Sequence, residues 1–315
     1  MITRRRFLAT LGGAAAGSLA FAGYAFGVEP HRLHLRQYAL TPPAWPRDLS
    51  LKIAALADIH ACEPWMDLER LEQIVSETNA LGADLVVLLG DYAAAHRFVT
   101  RFMHPPEWAA VLAKLRAPLG VHAIMGNHDW WDDLDAQQTG VGPVLGHVAL
   151  ERVGIKVYEN HAVRLQKDGR PFWLAGLGDQ IALRPRKRQG RRHFQGVDDL
   201  PGTLARVTDD APVILLAHEP DIFPRVPERV ALTLSGHTHG GQVRVFGYSP
   251  VVPSRYRNRY AYGHVVEARA VPQPTPRHLI VSGGLGCSLA PIRFGVPPEI
   301  VLVEFAENLS VDGDL

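Results

Sequence analysis

The segment DLVVLLGD, residues 84–91, admits few folds. Its apolar run has no polar break and ends on Gly90-Asp91. A strand wetted on one face alternates apolar and polar residues. An unbroken run belongs to a strand covered on both faces, as in a parallel sheet flanked by helices. LKIAALADI (51–59), VHAIMGNHD (121–129), PVILLAHEP (212–220) and VALTLSGHTH (230–239) read as further strands. Between the first of them lie amphipathic stretches. DLERLEQIVSETNALG sets Leu68, Leu71, Ile74, Val75 and Leu81 at helical spacing, between the cap candidate Asp67 and Gly82. EWAAVLAKLRAPLG, 107–120, puts Trp108, Val111, Leu112 and Leu115 on one side of a second helix. This alternation predicts a largely parallel sheet with helices outside. Asp168-Gly169, between HAVRLQK and RPFWLAGL, is a strong hairpin signal. RHLIVSGG and EIVLVEF close the chain as strands, so a second, more antiparallel sheet is expected.

Each of the first five strands ends in residues that bind metals. The endings supply Asp58 and His60, then Asp91, then Asn127, His128 and Asp129, then His218, and last the turn SGHTHGGQ with His237 and His239. In open α/β sheets, ligands gather beyond the carboxyl ends of strands, so these side chains converge. On an extended backbone His237 and His239 would project to one side. The flanking Gly236, Gly240 and Gly241 let the backbone turn and approach a ligand closely. Carboxylate, imidazole and amide oxygen together suit Zn, Mn or Fe better than Ca or a thiolate-selected metal. The ten remaining histidines read as ordinary surface or core residues, with His193 in a basic loop as the one to watch.

The series Asp-x-His, Gly-Asp, Gly-Asn-His-Asp, His, Gly-His-x-His, in this order over roughly residues 50–305, resembles the calcineurin-like metallophosphoesterases. LAHEPD, SGHTHGGQVRV and APIRFGVPPEI are similar to the bacterial exported or membrane-attached branch of that family. The resemblance implies a four-layer αββα sandwich, an α/β fold of two mixed sheets flanked by helices. It implies a dinuclear metal site at the strand ends. Asp58, His60 and His239 would bind one ion, Asn127, His218 and His237 the other, and Asp91 would bridge them. A bridging hydroxide would attack a phosphate ester. His128 would act on the leaving-group oxygen as general acid, and Asp129 would orient His128. Arg293, in APIRFG, would contact substrate. Some members of the branch act on cell-envelope phosphodiesters, and others hydrolyse UDP-2,3-diacylglucosamine in lipid A synthesis. A phosphodiester, or a lipid- or envelope-linked phosphate, is therefore the expected substrate, with the pyrophosphohydrolase as the alternative. A metal-bound, non-catalytic envelope protein is the alternative from another class. It would be expected to lack His128 or a ligand, and this chain lacks neither.

The first thirty residues, MITRRRFLATLGGAAAGSLAFAGYAFGVEP, place three arginines before 22 uncharged residues, Phe7 to Val28. Thr3, Arg4, Arg5, Phe7 and Leu8 match the twin-arginine export pattern. Residues 1–27 therefore read as a signal peptide, cleaved near Ala20–Ala25, or as an anchor, since about 20 residues span a bilayer. The expected location is the periplasm or the outer face of the cytoplasmic membrane, reached through the twin-arginine machinery. Residues 28–49 read as a polar lead-in, 50–307 as the catalytic domain and 308–315 as a tail. Folding before export lets the cytoplasmic metal supply decide the ion, which favours Mn or Fe over Zn. A net charge of +1 gives no signal for nucleic acid, and a monomer is expected. Cys62 and Cys287 make no disulfide framework and read as small buried residues.

Two further stretches carry charge. RPRKRQGRR, 184–192, holds six basic residues without an acid. It reads as a solvated loop or as a patch for anionic lipid. YSPVVPSRYRNRYAYGH, 248–264, interleaves tyrosines and arginines soon after the His237 turn. Arg255 and Tyr256 are candidate substrate contacts there, and a packed β-hairpin is the alternative.

Overall fold

The computed structural model describes residues 3–188, 191–268 and 275–305, without the side chains at 6–9, 14–15, 185–188 and 191–193. Two six-stranded mixed sheets lie face to face. The first has the spatial order His34–Leu40, Glu299–Phe305, Leu51–Leu56, Leu85–Leu88, Val121–Ala123 and Lys156–Val157. The second runs Gly263–Glu267, Arg277–Val281, Val230–Ser235, Val213–Leu216, Arg170–Gly176 and His161–Lys167. The first sheet is antiparallel only where Glu299–Phe305 meets Leu51–Leu56. The second has a parallel centre with an antiparallel strand at each edge.

Strand periodicity sorts the side chains into layers. Ile53, Ala55, Leu85, Val87, Val301 and Val303 face the second sheet and pack with its Phe172, Leu174, Ile214, Leu232 and Ile280. Their neighbours Ala54, Leu56, Val86 and Leu88 face outward, under Leu71, Ile74, Val75, Trp108 and Leu112 of the helices Leu68–Ala80 and Pro105–Leu112. The outer face of the second sheet, through Trp173, Val213, Leu215 and Leu279, is covered by Leu200 in the short helix Leu200–Ala205 and by the 3-10 turn Pro220–Arg225 with Ile222 and Phe223. That makes the four layers expected. Because the central strands are buried on both faces, nearly every position is apolar, with Lys52, Thr233 and Ser235 as exceptions, which is why their runs lack alternation.

The local signals act as read. The Asp67 carboxylate caps its helix by accepting the Arg70 N–H at 2.8 Å. Asp168 and Gly169 turn with φ of 50° and 77°, the left-handed pair that a tight hairpin needs. Cys62 and Cys287 are buried and unpaired. The second helix is shorter than read, ending at Leu112, although Leu115 stays buried beyond it.

Three segments differ from expectation. The lead-in holds His34–Leu40, an edge strand paired in parallel with Glu299–Phe305, so the folded domain begins before residue 50. The leader forms the helix Arg4–Gly27, and its last turns pack on the domain. Phe21 lies 4.7 Å from the Phe294 ring, Ala25 is buried, and the Ala25 carbonyl accepts the Arg293 N–H at 3.0 Å. The basic run is a two-stranded hairpin, Leu183–Arg188 with Arg191–Gln195, and not an extended loop. Its tip and most of its basic side chains, with His193, lie outside the described residues, as does the tail 308–315.

Candidate active site

The strands carrying the candidate ligands are mutually parallel within each sheet, so their carboxyl ends share one rim. Five of the candidates sit in left-handed backbone, namely Asp58, His60, Asp91, His237 and His239, with φ between 48° and 68°. Non-glycine residues seldom adopt this conformation, and it is concentrated at functional sites. It corrects the extended reading of SGHTHGGQ. With φ of 68° and 50°, His237 and His239 point to different places. The glycines make room. A Cβ on Gly236 would stand 2.6 Å from the Asp58 carboxylate, and one on Gly126 would stand 2.8 Å from the His218 ring.

Two clusters of close ligand atoms result, Asp58/His60/His239 and Asp91/His218/His237. Asp91 Oδ2 lies between them, 3.7 Å from His60 Nε2 and 3.2 Å from His218 Nε2. Asn127 Oδ1 joins the second cluster, 2.8 Å from His237 Nδ1. The rings are pre-set. His60 Nδ1 donates to the Ala93 carbonyl, His218 Nδ1 to Leu89 and His237 Nε2 to Pro253, at 2.7, 2.7 and 2.9 Å. A carbonyl only accepts, so each of these nitrogens carries the proton and the other ring nitrogen turns inward. His60 Nε2 and His239 Nε2 face each other at 3.0 Å. Asp58 Oδ2 is buried without a hydrogen-bond partner among the described residues, and His218 Nε2 meets only the Asp91 carboxylate there, 3.2 Å away. Bare nitrogens in contact and orphaned buried oxygens need a cation, so the donor set fits a metal pair.

The electrostatics agree. Burial pushes His60 down to about 3, against the pull of Asp91, and holds His239 well below the usual imidazole range. Both rings are therefore neutral donors at pH 7. Burial pushes Asp58 up to about 7, with His218 opposing and Asp91 reinforcing. His218 is buried too, yet Asp91 beside it holds its proton affinity well above the ordinary imidazole value. A cation between His218 and Asp91 would take that proton's place.

Over the clusters opens a cavity of about 760 Å³. Asp91, Asn127, His128, His237 and His239 form its polar floor, and Trp131, Val251, Val252 and Leu289 are among its apolar walls. The His128 ring stands at the floor, 5.2 Å from the His60 ring and 4.9 Å from Trp131. Arg184 also lines the cavity, its guanidinium 5.6 Å over Trp131.

Four candidates are placed otherwise than expected. The Asp129 carboxylate makes no hydrogen bond to the His128 ring among the described residues. It accepts the backbone N–H groups of Asp91, Tyr92, Ala93 and Gly126 at 2.8–3.1 Å, and so fixes the turn that carries Asp91. Arg293 is fully buried and so does not face substrate. It donates to the carbonyls of Gly286 and Val296, and its Nη2 lies 3.4 Å from His239 Nδ1. Arg255 is drawn off by Asp221, 3.3 Å away, and Tyr256 packs on the Tyr260 ring at 5.0 Å. Neither lines the cavity. One pair went unread. Asp179 and Glu219 close on His218 as a buried carboxyl pair, and burial together with Glu219 holds Asp179 well above the usual carboxylate range. The signal was present, because the strand Arg170–Gly176 runs into GLGD much as Leu85–Leu88 runs into LLGD.

A two-sheet sandwich with paired ligand clusters at one rim and a cavity above them suits a metal-dependent hydrolase. Residues 51–241 match the calcineurin-like phosphoesterase family. The chain is 31% identical over 308 residues to the metallophosphoesterase YkuE of Bacillus subtilis (strain 168), covering 96% of each. It is 30% identical over 319 residues to phosphodiesterase YaeI of Escherichia coli (strain K12), covering 96% of this chain and 99% of that one. A transmembrane protein with a metallophosphoesterase domain from Danio rerio is 31% identical over 198 residues, 61% of this chain and 41% of that one. The chain belongs to the calcineurin-like phosphoesterase family and is a metal-dependent phosphoric ester hydrolase.

Proposed function

We propose that the chain hydrolyses a phosphodiester outside the cytoplasm, with Asp58, His60 and His239 holding one metal ion, Asn127, His218 and His237 a second, and Asp91 both. The observation that carries this reading is Asp91 Oδ2 between the inward nitrogens of His60 and His218, beneath a cavity whose floor also holds His128. Two metal ions, when bound, supply Lewis acidity toward the phosphoryl oxygens and lower the pKa of the attacking water. The protein's own residues do the rest. The carbonyls of Ala93, Leu89 and Pro253 orient the rings, and Asp129 holds the Asp91 turn. His128 acts in its imidazolium form, which burial disfavours and Asp91 favours; it offers a ring N–H to the leaving-group oxygen, passes it the proton as the P–O bond breaks and is left as neutral imidazole. Water supplies the hydroxyl that ends on phosphorus. The ion is Mn or Fe in preference to Zn. Export through the twin-arginine route is supported by Thr3, Arg4 and Arg5 ahead of a helix long and apolar enough to cross a membrane, Thr10–His31.

The test is metal reconstitution with Mn, Fe or Zn and turnover of chromogenic mono- and diesters. His128→Ala should keep its metal and lose about 10²–10⁴-fold in kcat, the usual range for a positioned acid. Asp91→Asn should lose both ions together. A His128→Ala protein that emerges without metal would overturn the assignment.

A further inference from the structure

We infer that the end of the N-terminal helix and the turn after it, residues 21–29, form a positioning element for the first metal cluster, so that the working protein keeps its leader. The inference rests on the phosphoesterase reading, which gives Asp58, His60 and His239 one ion, and adds to it what holds those three ligands.

Contacts run inward from the helix in three steps. The first closes the helix on residues 293–296. The Phe21 and Tyr24 rings lie 4.7 and 6.1 Å from the Phe294 ring, and the Ala25 carbonyl accepts the Arg293 N–H at 3.0 Å. Just beyond the helix, the Glu29 carboxylate accepts the Val296 N–H at 2.9 Å. Ala25 and Glu29 are both buried.

The second step is the Arg293 side chain. Its fully buried guanidinium donates to the carbonyls of Gly286 and Val296, and its Nη2 lies beside His239 Nδ1, 3.4 Å away. The third step is the loop that carries Gly286. The Leu285 N–H donates to the Ala57 carbonyl at 3.0 Å, and the Gly286 N–H to that of Asp58 at 2.7 Å. This loop lies flush on the ligands. A Cβ on Gly284 would stand 2.9 Å from Asp58 Oδ2, and one on Gly286 would stand 2.9 Å from His60 Cβ. Arg293 and the loop it grips therefore touch Asp58, His60 and His239, all three ligands of the first cluster. The rings of the second cluster are set from elsewhere, by the Leu89 and Pro253 carbonyls.

A guanidinium is far better hydrated than packed, so it stays buried only while its surroundings hold it there. The helix end fixes the Arg293 backbone from outside. Freed of it, residues 293–296 can open, and the guanidinium lets go of the loop against Asp58 and His60. Processing points the same way. Proteolysis favours exposed, irregular segments, whereas residues 20–25 are helical and Ala25 is buried.

The full chain is purified in detergent and titrated with Mn. Elemental analysis counts the ions, and electron paramagnetic resonance separates a spin-coupled pair from a single ion. Ala25→Glu, at a position with no exposed surface, should weaken the first-cluster ion about 10–100-fold, the usual effect of groups that hold a ligand from behind. The pair signal should then give way to that of one ion. Phe21→Ser with Tyr24→Ser undocks the helix without crowding and should shift binding the same way. Leu19→Glu puts the same charge on an exposed part of the helix and should keep the pair. Arg293→Gln should repeat the selective loss, and Ala25→Glu added to it should cost little more, because both act through one contact. The mass of the chain recovered from its producing cells should include Phe21. A mature chain that begins beyond Phe21 would overturn the inference, as would helix-end variants that hold both ions as the wild type does or lose both equally; in each case the phosphoesterase reading stands. A wild type that binds only one ion would overturn the two-ion reading and the inference with it.

Discussion

Replacing Asp129 with Asn separates two accounts of this residue. The two side chains are nearly isosteric, and only charge and one acceptor change. In the wild type Oδ2 accepts the Asp91 and Gly126 N–H groups, and Oδ1 those of Tyr92 and Ala93. Whichever oxygen becomes NH₂, two of these bonds are lost and two donors face a donor. Burial and the Asp91 charge push Asp129 up to about 7 against the pull of those N–H groups, so its bonds fall between the neutral and the charged case, about 1–3 kcal/mol each, and the loss is about 2–6 kcal/mol. In a chain of this size that lowers Tm by something on the order of 10 °C. Because the turn carries Asp91, metal content should fall for both ions together. Calorimetry of metal-depleted protein and elemental analysis after reconstitution read the two effects. If Tm moves by less than about 2 °C and both ions remain while turnover collapses with an altered pH profile, Asp129 acts on His128 and its role as a backbone clamp is refuted.

Gly236→Ala should lower the metal content of the Asp58 cluster, since its Cβ would stand 2.6 Å from Asp58 Oδ2; full stoichiometry by elemental analysis would contradict the close approach. Metal binding to depleted protein should release protons at pH 7, because Asp58 is raised to about 7 and His218 lies well above its ordinary value. Affinity should therefore climb from pH 5 to 7, with His60, at about 3, already deprotonated and silent in that window. Titration calorimetry in buffers of different ionisation heat checks this, and affinity that falls with rising pH would count against it. Arg4→Lys with Arg5→Lys should hold the chain in the cytoplasm on fractionation, since a receptor reads the arginine pair.

The sandwich and the gathering of the candidate ligand side chains at one rim were legible because both are written locally. An unbroken run such as LVVLL announces a doubly covered strand, and the residue types at its end announce the chemistry. What escaped depends on contacts distant in sequence. Arg293 carries a family motif, but its burial behind His239, 54 positions away, follows from loop packing that no spacing encodes. The helix end stacks on Phe294 across most of the chain, so the leader looked detachable. Asp129 adjoins His128 in sequence, which suggested a pair. One helical turn instead directs the two side chains apart, Asp129 into the backbone amides and His128 into the cavity. Arg255 offered a charge near the site in sequence, and a single acid, Asp221, takes it elsewhere.

The left-handed backbone at five candidate ligands also bears on how this chain can change over generations. Glycine would hold any of those positions with less strain, and each non-glycine residue there costs about 1 kcal/mol or more. Together that is comparable with the whole net stability of a typical domain, about 5–15 kcal/mol. Asp58, His60, Asp91, His237 and His239 are thus the places where sturdiness and chemistry compete most directly. A lineage freed from the need for turnover would drift toward glycine there and grow more robust as it fell silent. A library selected only for heat resistance would take the same path and yield well-folded, inert descendants.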